Sequence, residues 1–188
     1  MKNRIIMKHP RKAMKAMRDF LNEATYIDYI VSDYPRTVKG KRMAKVVKDK
    51  GFAAWTGGAY EYSSTFRIDF PANFSTGNGD KTFRKDLVSR FPSAKGFSTF
   101  TLSLLHELGH IKMETNGFKI DSVARSLKTM ALAEKVKDGS MTVEEANFEY
   151  FKFPEEMVAT NWAIEWLKDP EHRKLAKKFE REFFACYE

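Results

Sequence analysis

The amino-acid sequence predicts an α+β domain, mostly helical, with a small antiparallel sheet preceding a central apolar helix. Three observations carry that expectation. Apolar residues recur at mixed three- and four-residue spacing along most of the 188-residue chain. One stretch, Tyr60 to Phe70, alternates with period two instead. Gly, Pro and Asn clusters punctuate the chain between these segments.

A first helix is expected from Arg11 to Val31, with Met14, Met17, Phe20, Leu21, Ala24 and Ile27 on its apolar side. Tyr34-Pro35 ends it, because the residue before proline is pushed out of helical geometry. A second short helix is expected over Val38 to Lys48. In the alternating stretch Tyr60, Tyr62, Phe66, Ile68 and Phe70 fall on one face and Glu61, Thr65, Arg67 and Asp69 on the other, as in a half-buried strand. GFAAWT and Gly57-Gly58 stand just before it and predict a hairpin partner. PANFSTGNGD reads as a loop, and a short helix follows near Lys81 to Arg90. Ser98 or Thr99 can cap the next helix, which runs to about Met113 and ends at Asn116-Gly117. Further helices are expected near Ser122 to Lys137, Thr142 to Tyr150, Pro154 to Leu167, and from Asp169-Pro170 onward.

Composition narrows the class of protein. Hydrophobic residues make up 43% and charged residues 31%, with 16 Phe, 7 Tyr and 3 Trp, which suits a globular core and argues against disorder. No apolar run approaches the roughly 20 residues that span a bilayer. MKNRIIMKHPRKAMKAM holds no continuous apolar core of signal-peptide length. Cys186 is the only cysteine, so an intrachain disulfide is impossible and a cytoplasmic location is expected. The net charge of +8 is concentrated early, at Lys2, Arg4, Lys8, Arg11, Lys12, Lys15 and Arg18 and again from Lys39 to Lys50. Such a region could meet nucleic acid or an acidic protein, although a solvated helix face is the simpler account, since exposed lysines are ordinary. One domain is expected over residues 1–188, with basic helices in 1–50, the site in 51–167 and a final helix in 168–188.

LLHELGHIKM, residues 104–113, is the segment that carries chemistry. Residues four apart lie one above the other on a helix, so His106 and His110 can both bind one ion. Leu104, Leu105, Leu108 and Ile111 would bury another side of that helix. Zinc makes a water acidic enough to ionise near pH 7, and Glu107, beside His106, is placed to take the proton. Gly109 is costly in a helix, a cost that close packing against another backbone would explain. The expected cofactor is therefore Zn2+.

Two histidines need a third ligand. A metzincin would place a histidine ten residues after the first, where this chain has Asn116. His9 and His172 have no motif around them and read as surface histidines. A carboxylate is the other choice, and FPEEMVATNWAIEWL offers Glu155 and Glu156 one turn before an apolar face of Ala159, Trp162, Ala163 and Trp166. Acidic residues in a first turn also complement the helix dipole, so spacing alone does not choose between the two.

HELGH followed by Glu156, Ala159, Trp162 and Ala163 resembles the ImmA/IrrE-type zinc peptidases, a gluzincin-like group of bacteria and phages. The resemblance implies a zincin-like domain in which His106, His110 and Glu156 hold zinc and Glu107 is the general base. It also implies a regulatory protease acting on a specific protein such as a repressor, and close packing of the Ala159 and Ala163 helix on the histidine helix. The chain departs from the family at Thr160, where an acidic residue or Asn is common. It also departs in the long stretch between His110 and Glu156, which implies an inserted helical segment. Such a peptidase needs a sheet edge to hold its substrate, for which the Tyr60 to Phe70 strand is the candidate. It also needs a donor for the tetrahedral intermediate, and Tyr60, Tyr62, Tyr150 and Arg125 are available. The competing readings are a zinc hydrolase of a non-peptide bond and a non-catalytic protein whose basic N-terminal helices bind nucleic acid or protein.

Overall fold

The apolar spacing and the caps account for most of the elements. The computed structural model describes residues 9–25, 29–33, 55–57, 66–70, 78–118 and 120–186. Helix α1 (Pro10–Thr25) buries Ala13, Met17, Phe20, Leu21 and Ala24. It stops at Thr25 rather than at Val31, and Tyr29–Asp33 is a strand, β1. The physical reason is local: YIDYIV is rich in aromatic and β-branched side chains, which favour extended backbone. Two more short strands, β2 (Trp55–Gly57) and β3 (Phe66–Phe70), give the order β1-β3-β2.

The expected fold class, α+β with an antiparallel sheet, is corrected here. Among the described residues seven α-helices form the body, and from Asn78 onward the described chain contains no strand. The described core side chains all lie on helices, on one 3-10 turn or within two residues of them. The strand pairing is short and mixed, with β1 parallel to β3 and β2 antiparallel to it. A parallel partner arrives by a long crossover, which no local alternation can announce. Residues 58–65 and the predicted helix Val38–Lys48 lie outside the described residues, as do the basic residues 2–8 and 39–50.

Beyond residue 77 the helices are α2 (Asn78–Arg90), the 3-10 turn Pro92–Gly96, α3 (Thr99–Thr115), α4 (Ser122–Lys137), α5 (Val143–Tyr150), α6 (Pro154–Lys168) and α7 (Pro170–Phe184). Ser98 Oγ accepts from the Thr101 N–H at 3.1 Å and so satisfies one donor of the first turn of α3. Gly117, at φ 81°, turns the chain after it. Asp121 caps α4, Thr142 and Glu145 form a capping box on α5, and Asp169 caps α7.

Helix α1 packs on α7, α3 on α6, and α2 against both α3 and α5. Aromatic rings line α7: Phe20 of α1 stacks on Phe179 at 4.4 Å and Phe100 of α3 on Phe183 at 4.9 Å. Leu102, Leu104, Leu105, Leu108 and Ile111 are all buried, so α3 is enclosed on several sides. That enclosure draws His106 and His110 into the interior. Helices α4 and α5, which fill the stretch between α3 and α6, have no buried side chain among the described residues.

Candidate metal centre

The site is built where α3 crosses α6. A Cβ added at Gly109 would lie 2.4 Å from the Ala159 carbonyl oxygen and 2.8 Å from its Cα. Only glycine permits that approach, and the small Ala159 and Ala163, both fully buried, supply the facing surface. The expectation that Gly109 makes room for another backbone is met by Ala159.

This crossing brings Glu156, in the first turn of α6, to the two histidines of α3. His106 Nε2 is 3.0 Å from Glu156 Oε2, the two Nε2 atoms are 3.2 Å apart, and His110 Nε2 is 3.5 Å from the same carboxylate oxygen. All three residues are buried, and together they could hold a metal ion. Two His nitrogens and a carboxylate oxygen match the donor chemistry of zinc. Ligands at 2.0–2.2 Å in a tetrahedron stand about 3.4 Å apart, close to the spacings found here. In the tautomer protonated on Nδ1, His106 donates to Thr160 Oγ1 at 3.1 Å, which turns Nε2 towards the shared space. Phe83 packs edge-on against the His106 ring at 4.9 Å.

No family model, curated protein or solved structure matches the chain. The chemistry of the site therefore rests on its own geometry.

Electrostatics bind the cluster together. Burial alone would raise the Glu156 carboxyl, but hydrogen bonds and charge from His106 and His110 outweigh it and hold the group well below the usual carboxylate range. Burial alone would lower His110, yet its hydrogen bond to Glu156 and the charges of Glu107 and Glu156 raise it. The second carboxylate oxygen, Glu156 Oε1, accepts from Arg125 at 2.6 Å. The same guanidinium nitrogen also donates to the Tyr150 hydroxyl.

Glu107, the expected base, is partly buried on α3 and close enough for its charge to act on His110. Glu155, the rival for third ligand, is buried but turned towards Arg125, 3.6 Å from its Nε, and takes no part in the cluster. His9 and His172 are elsewhere. The backbone N–H of the exposed His9 donates to the Cys186 carbonyl, and His172 is half-buried and stacked on Trp166 at 4.5 Å, so His172 is not the open surface histidine expected. Of the four candidate donors, Arg125 and Tyr150 are brought to Glu156, whereas Tyr60 and Tyr62 lie outside the described residues. Thr160 is the site residue that sequence reasoning registered only as a departure. Its position one turn after Glu156 on the same helix face was the available signal.

Proposed function

We propose that the protein is a zinc-dependent metalloendopeptidase of the gluzincin type, with His106, His110 and Glu156 as ligands. The observation that carries the reading is the convergence of two Nε2 atoms and one carboxylate oxygen at separations of 3.0–3.5 Å inside a buried crossing. Bound zinc would polarise a peptide carbonyl and make water acidic near pH 7. Glu107 takes the proton of the attacking water and passes it to the leaving amine. Its place beside His106 and its electrostatic reach to His110 support that role.

The HELGH and Glu156-to-Ala163 resemblance supports a protein substrate, a specific target such as a repressor being the reading it favours. The lone Cys186 supports a cytoplasmic setting. No helix among the described residues is long and apolar enough to cross a membrane.

Metal analysis of the wild type, Glu107→Gln and His110→Ala tests this directly. About one zinc per chain is expected in the wild type and in Glu107→Gln, with most of it lost in His110→Ala. Cleavage of a substrate should stop in Glu107→Gln despite its zinc. A wild-type protein that takes up no zinc under metal-replete conditions would sink the proposal. Glu156→Ala should lose metal and Glu155→Ala should retain it; the reverse result reassigns the third ligand.

A further inference from the structure

We infer that Arg125 is a positioning residue for the carboxylate of Glu156, and that the segment inserted between the two ligand helices is there in part to deliver it. The inference rests on the reading of Glu156 as the third metal ligand. A carboxylate has two oxygens, and here they are divided. Oε2 faces the two histidine nitrogens, at 3.0 and 3.5 Å, while Oε1 accepts a charge-assisted hydrogen bond from Arg125 at 2.6 Å. Glu156 is 2% exposed, so neither oxygen can turn to bulk solvent for a partner.

The guanidinium is itself held on three sides. One nitrogen reaches both Glu156 and the Tyr150 hydroxyl, and Nε stands 3.6 Å from Glu155 Oε1. The Arg125 side chain remains about a third exposed, so it closes the site from the α4 side. Helix α4 provides Arg125, the end of α5 provides Tyr150, and the start of α6 provides both glutamates. Three elements, of which α4 and α5 bury no apolar side chain among the described residues, thus meet on one guanidinium. A planar fork satisfies these three partners, whereas an ammonium has no matching geometry.

Two effects of the arginine on metal affinity oppose each other. Its charge draws electron density from the carboxylate and repels a cation. Its hydrogen bond holds Oε1 away from the metal and presents Oε2 alone. The second effect is expected to dominate, because without Arg125 a buried charged oxygen loses its partner and the carboxylate is no longer held in one orientation.

The test measures zinc affinity by competition with a chromophoric chelator, together with the visible absorption of the cobalt-substituted protein, which reports coordination geometry. The set comprises wild type, Arg125→Ala, Arg125→Lys, Tyr150→Phe and, as a control on the same helix, Ser126→Ala. Zinc affinity should fall roughly 10- to 100-fold in Arg125→Ala and by a smaller factor in Arg125→Lys and Tyr150→Phe. The cobalt spectrum should change in Arg125→Ala, and Ser126→Ala should match the wild type in both readouts. Tyr150→Phe removes one hydroxyl and keeps the ring, which leaves a readable variant if Arg125→Ala does not fold. Unchanged or tighter zinc binding with an unchanged cobalt spectrum in Arg125→Ala and Tyr150→Phe overturns the inference while leaving the metal site standing. Failure of the wild type itself to bind zinc or cobalt removes the metal reading, and this inference with it.

Discussion

Gly109 sets the distance between the two helices that carry the site, and it is the residue at which the smallest change should have the largest effect. A methyl group there meets the Ala159 backbone, which cannot step aside as a side-chain tip can. Gly109→Ala is expected to lower stability by about 1–3 kcal/mol or more and to weaken zinc binding, through separation of Glu156 from the histidines. Denaturant unfolding and a metal titration read the two effects separately. Protonation offers a second check. In the metal-free protein His110 is raised above its ordinary 6.5, so its contribution is present below that pH and fades as pH rises through the folded value. Glu156 is depressed below 4.5, so its contribution is present above that pH and is lost as pH falls towards the folded value. Metal-free protein should therefore be most stable between about pH 4.5 and 6.5 and lose stability above it. Zinc bound as proposed would displace the His110 proton, so the zinc-loaded protein should instead gain stability as pH rises through that range. The thermal unfolding temperature should fall above pH 6.5 with chelator, whereas with zinc it should rise up to about that pH and then level off. His106 and His110 are legible in the sequence because an i, i+4 pair needs only the helix to be right. Glu156 is not separable from Glu155 there, since both occupy a first helical turn and only the crossing of α3 and α6 decides which one faces the histidines.

Among the elements, legibility follows how local the signal is. Helices α4, α5, α6 and α7 begin within a residue of their predicted starts because Asp121, Thr142, Pro154 and Asp169 announce them from adjacent positions. The end of α1 is set by the β-favouring run YIDYIV, which the continuing apolar spacing masks, and the parallel pairing of β1 with β3 depends on distant chain. The cap on α5 has a functional side as well, because that helix ends in Tyr150. Thr142→Ala removes the hydroxyl that accepts from the Glu145 N–H, while the Glu145 carboxylate keeps its bond from the backbone N–H of residue 142; it should lower Tm by roughly 2–4 °C, with a small loss of helical circular dichroism. Its effect on zinc affinity should be smaller than that of Tyr150→Phe, because a frayed first turn lies at the far end of α5 from the hydroxyl.

For the molecule as a whole, the aromatic-rich composition is used by helices packing on helices rather than by a sheet facing them. The alternating residues of the Tyr60 to Phe70 stretch point to a sheet, but the described core is built by the helical pattern. Phe179 is a fair test of that core: it is 2% exposed, stacked on Phe20 and within ring contact of Phe100 and Phe183. Phe179→Ala should cost about 3–5 kcal/mol by chemical denaturation, comparable to the loss of a central aromatic in any close-packed domain. The exposure of α4 has a consequence of another kind. Val123, Leu127 and Met130 are all more than half exposed on a helix whose firmest described attachment to the body is the guanidinium of Arg125. Amide hydrogens of α4 beyond its first turn should accordingly exchange with solvent through local opening, at a lower free energy than those of α3, which need the whole domain to unfold. Each such opening would pull on Arg125, so the lifetime of the metal in its site should be coupled to the breathing of a helix that contributes no ligand.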